Sequence, residues 1–501
     1  MRMGARRWRN VRLRQGRALV ATMAVALAIS ACARFSPDAG MSKVQGWVGS
    51  RVQGWVGGEP ARDVVKVRSE DEAAQTRLIV AALLAKPLTA DTAVRVALLN
   101  NRGLQAAYNE VGISEARMVD ASLPPAPMFA LTHLTGSGGF EIERQVALNV
   151  LALLTLPSRT QIAAARFEQA QVRAVEATLR TAAEARRAYY RAVAANQAVK
   201  FLDDARLAAE AVSDLARQLG ETGGLSKLDQ AREHAFYAEV SAQLAQGRLR
   251  QRTERDRVAQ ALGLWGSDIN FRLPGSLDPL PAKPKDRPDV EVAAIAQRVD
   301  LEIARLEIEA LAKQLNLTRA SRFINALEVG AVSMEEKTTR VEAGVPMVER
   351  VSRRGPEFEF QIPIYDFGTA RTRLAEETYM QAVNRLLERA VNVRSEAREA
   401  YQAYRGAYDL ARHYEKEILP LREIISEETL QRYSGMLQDV FALLGDARAR
   451  IAANVQGIEA RRDFWIATVD LHTAIVGGRG AAEAIESERT VIAAEAGGEG
   501  H

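Results

Sequence analysis

Cys32 is the only thiol in this 501-residue chain. A lone thiol can be acylated, oxidised or given to a metal, but it cannot close a disulfide within its own chain. The five histidines (His133, His234, His413, His472 and His501) do not pair at metal-ligand spacing, and no CxxC accompanies them. No nucleophile–base set and no Gly-rich phosphate loop is present. These residue types predict no enzyme, no cofactor and no metal. What remains is the cysteine, an acidic residue, Asp229, beside a Gly-rich turn, and Tyr401, Tyr404 and Tyr408 at helical spacing. The tyrosine stripe reads as a packed seam in preference to a channel lining.

The residues before Cys32 define its chemistry. Seven arginines lie between Arg2 and Arg17, and an uncharged apolar run follows at 18–29. That run is about 12 residues, short of the roughly 20 that a spanning helix needs, so 1–31 reads as a secretory signal. Ile29-Ser30-Ala31-Cys32 resembles the lipobox of bacterial lipoproteins, with Ile29 where that pattern usually has Leu. The resemblance implies cleavage before Cys32 and lipidation of its thiol. Ala33 after it resembles lipoproteins released to the outer membrane.

The chain carries 67 Lys+Arg against 63 Asp+Glu, a net +4. Removing the leader arginines reverses that sign, so the basic pI is no argument for nucleic acid. No later apolar run reaches spanning length. If the mature chain crosses a bilayer, it must do so as a closed β-barrel, since only helices and barrels satisfy the backbone in lipid.

The organising feature is a repeat. Residues 183–190 read AEARRAYY and 395–402 read SEAREAYQ, pairing Glu184 with Glu396, Arg186 with Arg398 and Tyr189 with Tyr401 at an offset of 212. Such a period reads as a duplicated half-molecule. Residues 32–87 are expected to be an N-terminal tether, flexible where VQGWVG recurs at 44–49 and 52–57 around Trp47 and Trp55. The first repeat, 88–264, has a helix over 88–121 with Thr89 as N-cap. Strands at 128–135 and 141–154 follow, then a helix from 159, a Gly-rich turn, and a returning helix to 263. A Pro-rich linker occupies 265–288. The second repeat, 289–478, has a helix over 289–322 and strands at 324–333 and 358–365. Its helix over 369–433 is interrupted at Gly406 and Pro420, and another helix returns over 437–476. The additional residues of repeat two, about 335–355, read as an inserted surface loop. The tail, 479–501, reads as disordered.

This order resembles the outer-membrane efflux protein family, the TolC-like channels. The resemblance rests on LTADTAVRVALLNNRGLQAAYNEVGISEARMVDA (88–121), RPDVEVAAI (287–295), IPIYDFGTARTRLAEETYMQA (362–382) and the turns GGLSKLD (223–229) and YSGMLQDV (433–440). It covers about 88–478. It implies a mainly α chain with a small membrane β-barrel contribution, whose duplicated helix, β-hairpin and long α-hairpin repeats form a trimeric α-barrel plus a 12-stranded β-barrel. The partners implied are two further copies, outer-membrane lipid, a periplasmic adaptor and an inner-membrane pump. The function implied is a passive exit duct for efflux or type I secretion. The turns would contact the adaptor through Gly223, Gly224, Leu225 and Ser226 in one tip, and Gly435, Met436 and Leu437 in the other. Asp229 is either one member of a threefold acidic aperture or a helix cap. Its counterpart in repeat two is Phe441, which is not acidic. A periplasmic coiled-coil adaptor and a structural lipoprotein are the alternative readings. Two tandem hairpins argue against the first, and the FEFQIPIYDF strand pattern (358–367) against the second.

Overall fold

The computed structural model describes residues 35–52, 63–136, 139–342, 345–435, 437–438 and 440–477. Cys32, Met436, Trp55 with the rest of the second VQGWVG copy beyond Val52, and the tail 479–501 lie outside the described residues. The chain forms two compact units. One comprises 111–170 and 304–385 with the N-terminal residues up to Gly40; the other comprises 41–110, 171–303 and the segment from 386 onward.

The first unit contains the sheet. Strand β1 is Met128–Gly136, β2 Gly139–Asn149, β3 Ala326–Glu342 and β4 Val345–Gln361. They pair antiparallel in the order β1-β2-β3-β4, so the two hairpins meet through β2 and β3. Two expectations are corrected here. The region 335–355 is not a loop: its described residues extend β3 and β4 to 17 residues each. The second strand ends at Asn149, not at 154. There the Asn149 side chain accepts from the Ala152 N–H at 2.7 Å and caps a helix that begins at once.

That helix, Val150–Glu221, runs 72 residues, about 110 Å at 1.5 Å per residue, and carries Pro157 in its third turn. Pro157 has no N–H to give the Leu153 carbonyl, and the Thr155 and Thr160 hydroxyls bond back to the carbonyls of Leu151 and Leu156 on either side of it. Beyond it there is neither Gly nor Pro until Gly220. Ala, Arg, Glu and Leu then sustain the helix through their intrinsic propensity.

The second unit packs this long helix against Lys227–Leu262, the helix that returns from the first turn, and against Val440–Val476, the helix that returns from the second. Ala209, Phe236, Val240 and Leu444 make one cluster of this contact and Val199, Leu202 and Leu244 another. The opening helix of each repeat is broken where continuity was expected. Repeat one has Ala90–Asn100 and Arg102–Ser122, and repeat two has Val290–Gln297 and Val299–Ala320. Each break receives the end of a returning helix. Gly263, at φ 69°, lies so close to Asn100 that an added Cβ would stand 2.9 Å from its carbonyl oxygen. Gly477, at φ 104°, sits against Val299. Thr89 caps its helix as expected, in a capping box with Thr92.

Repeat two then runs Thr369–His413, a π-turn at Tyr414–Ile418, and Leu419–Ser434. Gly406 does not interrupt it. The wider π-turn precedes Pro420, which lacks the N–H that a regular helix would require. The tyrosine stripe is the packed seam that its spacing predicts. Tyr404 and Tyr408 are buried against Phe464. The Tyr404 hydroxyl accepts from the Lys285 N–H, and Tyr408 donates to the Pro281 and Ala282 carbonyls. The Pro-rich linker is thereby held as ordered chain. The tether expectation is also revised: Met41–Val52 is helical, with Met41, Val44 and Val48 buried.

Candidate functional site

The four-stranded sheet separates its side chains by chemistry. Register places Phe129, Val146, Ala331 and Pro356 in one row, Leu148, Val329 and Phe358 in the next, and Leu327 opposite Phe360 in a third, all on one face. Phe129, Val146, Val329, Phe358 and Phe360 are solvent-exposed there. Toward the hairpin turns the same face becomes polar, with Arg144 beside Ser333 and Arg354, and with Arg144 3.7 Å from Glu335.

The opposite face carries Glu141, Glu143, Glu328, Glu336, Glu349, Glu357 and Glu359, with Arg353 as the cation among the described side chains. Glu328 lies directly across from Glu359, and Glu141 across from Glu336. Opposed like charges destabilise a sheet unless water screens them. Gln145 donates to Glu357 at 2.6 Å, which holds one carboxylate in place. The first face therefore suits an apolar medium near the strand roots, and the other, although it also exposes Met128, Leu134 and Met347, carries the carboxylates that need water. Period-two alternation in 142–150 disclosed this polarity in β2. The longer hairpin hid it, because its distal residues are polar on both faces.

The turn regions belong to the second unit. In the first, Gly223 takes φ 77° and the Gly224 N–H donates to the Leu219 carbonyl at 2.8 Å. Ser226 is the N-cap of Lys227–Leu262 and accepts from the Asp229 N–H at 3.1 Å. Its hydroxyl donates to the Asp229 carboxylate at 2.5 Å, and Arg232 pairs with the other oxygen at 3.2 Å. Leu225 is half-buried and Leu228 is exposed. In the second turn, Gly435 closes its helix through the Gln431 carbonyl, the Leu437 N–H bonds the Arg432 carbonyl, and the Leu437 side chain is 82% exposed. Within one chain, Asp229 is thus the third helical residue of a first turn capped by Ser226, and its carboxylate is held by the cap hydroxyl and Arg232.

Ion pairs that sequence reasoning missed repeat across the halves. Arg186 pairs with Asp91 in repeat one, and its counterpart Arg398 pairs with Glu291 in repeat two at 3.2 Å. At the second helix break, buried Arg298 bridges Asp300 at 2.9 Å and Glu396 at 2.6 Å. In repeat one, Asn100 and Asn101 do the corresponding work by donating to the carbonyls of Gly263 and Ala261. The 212-residue offset was the signal available for the arginines. His472 is half-buried near Arg186, Lys285 and Arg287, and desolvation followed by these cations pushes its pKa down to about 4.

No family model matches the chain, and the curated proteins contain no match. Solved structures do match in fold. The outer-membrane channel OprN has a TM-score of 0.63 at 18% identity, over 79% of this chain and 91% of that one. The Campylobacter jejuni outer-membrane channel CmeC has a TM-score of 0.62 at 15% identity, covering 80% and 88%. The Vibrio cholerae outer membrane protein VceC has a TM-score of 0.62 at 14% identity, covering 78% and 97%. The chain is mostly helical with one small antiparallel sheet, and it has the fold of these proteins.

Proposed function

We propose that this chain is an outer-membrane channel, the passive exit duct of a tripartite efflux or type I secretion system. The observation that carries this reading is the two-faced sheet with open edges. No described helix is long and apolar enough to cross a membrane. The sheet presents aromatic and aliphatic side chains on one face, carboxylates on the other, and unpaired edges at β1 and β4. Lipid does not tolerate open strand edges, so three copies would close a 12-stranded barrel with the apolar face toward lipid. The carboxylate face would then line the lumen, where acidic side chains favour cations. Neither alternative reading, adaptor or structural rod, accounts for such a sheet.

The finer assignments follow the same reading. Cys32 would carry the lipid anchor, which mass spectrometry of the N-terminal peptide tests. The tips at Gly223–Ser226 and Gly435–Leu437 would meet a periplasmic adaptor. Replacing Gly223 and Gly435 with bulky residues should abolish transport while the yield of assembled protein stays normal. Asp229 would join its two copies near the aperture only if the tips converge. Asp229→Ala raising conductance or relieving block by multivalent cations supports that; unchanged conductance leaves it a residue of the capped first turn. The reading as a whole is tested by native mass spectrometry in detergent. A three-copy mass is expected, and a monomer soluble without detergent would overturn the channel.

A further inference from the structure

At the root of the sheet, where β3 and β4 meet helices, lies a cleft of about 500 Å³ lined by Arg322, Thr369, Ala370, Thr372, Arg373 and Glu376. The local chain is built tightly. Gly368, buried at φ 71°, sits where an added Cβ would come within 2.2 Å of the Arg322 carbonyl oxygen. The Asp366 carboxylate accepts from the Gly368 and Ala370 N–H groups and starts the following helix. Phe367 is forced to φ 49°, a conformation that side chains other than glycine rarely hold.

This strained passage pushes apolar groups outward. Ile362, Ile364, Tyr365 and Phe367 are all exposed, Tyr365 almost completely, and Phe323, in the turn before β3, is exposed too. Each is costly in water, and five within two short segments form a belt beyond a single stray side chain. The belt continues the apolar face of the sheet past the strand ends. Aromatic side chains at that level are what a membrane–water interface selects.

The charges beneath the belt are arranged for an anion. Glu376, the carboxylate in the cleft, is taken up by Arg319 at 2.6 Å. Arg373 has Glu377 at 2.8 Å, but both side chains are largely exposed, so that pair is weak. The Arg322 guanidinium lies over the Phe323 ring at 4.5 Å and donates weakly to the Phe367 carbonyl at 3.4 Å, with no carboxylate partner among the described residues. Guanidinium groups match phosphate oxygens in a planar fork and stack on aromatic faces at the same time.

We propose that this cleft binds the phosphate headgroup of an anionic phospholipid from the leaflet on the helical side of the membrane. Arg322 and Arg373 would hold the phosphate while the acyl chains lie along the Phe358–Phe360 face. The inference rests on the channel reading, because only a bilayer at this level supplies the ligand. Two guanidinium groups under an aromatic belt discriminate by charge, so a zwitterionic headgroup should bind less well.

The test is native mass spectrometry of the full-length assembly in detergent, titrated with phosphatidylglycerol, phosphatidylcholine or inorganic phosphate. Wild type should retain phosphatidylglycerol in preference to phosphatidylcholine. Arg322→Gln and Arg373→Gln should each lower that retention roughly 5-fold, and R322K/R373K should keep most of it. Inorganic phosphate should not displace the lipid. Equal retention by wild type and the double glutamine variant would overturn the proposal. So would equal binding of both lipids, or complete displacement by inorganic phosphate, which marks a free-anion site. If the variants assemble and conduct while lipid retention is unchanged, the lipid site fails and the channel stands. A wild-type chain that neither assembles nor conducts removes both.

Discussion

The two repeats place very similar helices around very different strands. The first hairpin has strands of 9 and 11 residues, and the second has 17 and 17. A tilted strand crosses a bilayer in roughly 9–11 residues. The first hairpin is therefore about as long as a membrane is thick, and the second exceeds it by some six residues per strand, about 20 Å. The apolar face ends before that excess: beyond Ala331 and Pro356 come Ser333, Glu335, Lys337 and Arg350, Ser352, Arg354, and Ser333, Glu335 and Lys337 still lie opposite β2. Duplication conserved what packs, and the copies diverged where strands meet water. The helix breaks show the same pattern more quietly, with neutral Asn100 and Asn101 in one half and charged Arg298 in the other.

The largest effect should come from exchanging the chemistry of the two sheet faces. On the proposed channel reading, Val329→Arg or Phe358→Arg, on the apolar face, should each cost about 2–4 kcal/mol of membrane stability and suppress assembly in the outer membrane. Glu357→Arg on the opposite face should preserve assembly and reduce cation preference. Equal loss from both substitutions would break the assignment of faces, and fractionation with native gels reads it directly.

Arg298→Ala should follow in size. It leaves Asp300 and the partly buried Glu396 without their common cation, and breaking such a buried pair costs about 3 kcal/mol. Asn101→Ala, the equivalent break in repeat one, should cost about 1 kcal/mol. Thermal unfolding of the two variants orders them, and the reverse order would contradict the claim that charge holds only the second break.

Acid should act on the second unit through His472. Its pKa is depressed from the ordinary 6.5 to about 4. The folded state therefore binds the proton less well than the unfolded chain. Stability from the neutral ring is present above pH 6.5 and declines as pH falls from there toward 4, by at most about 3 kcal/mol. His472→Gln should flatten the melting temperature between pH 7 and 4. An unchanged slope would place the acid sensitivity elsewhere. Smaller still, Ser226→Ala should cost about 1 kcal/mol through the lost cap, visible as faster proteolysis at the first turn and not at the second.

Much of this was legible in the residues because helices announce themselves by what they lack. From Arg159 to Leu219 there is neither Gly nor Pro, and the glycines at 220, 223 and 224 mark the turn. The offset between Arg186 and Arg398 disclosed the duplication, and their matching ion pairs follow from it. The strand limits were not legible for physical reasons. Residues 335–355 carry charges on both faces together with Gly355 and Pro356, so period-two alternation vanishes and the segment reads as loop. Pro157 reads as a stop because Pro usually breaks a helix interior, and here it lies at the eighth residue of one. The breaks at Asn101 and Arg298 depend on Gly263 and Gly477 arriving from more than 160 residues away, and local pattern carries no trace of that. Of the site, the turns and Asp229 were visible in advance. The acidic face was not, because it exists only once four strands are in register.

The central claim is that this sheet closes into a water-filled barrel lined by its glutamate face. Planar-bilayer recording of the purified full-length protein under a KCl gradient tests it most directly. Discrete conductance steps with a reversal potential displaced toward that of K⁺ are expected, and replacing Glu328, Glu357 and Glu359 with Gln should move it back toward zero. A protein that inserts no conducting unit, or one whose cation preference is untouched by those three substitutions, would contradict the account.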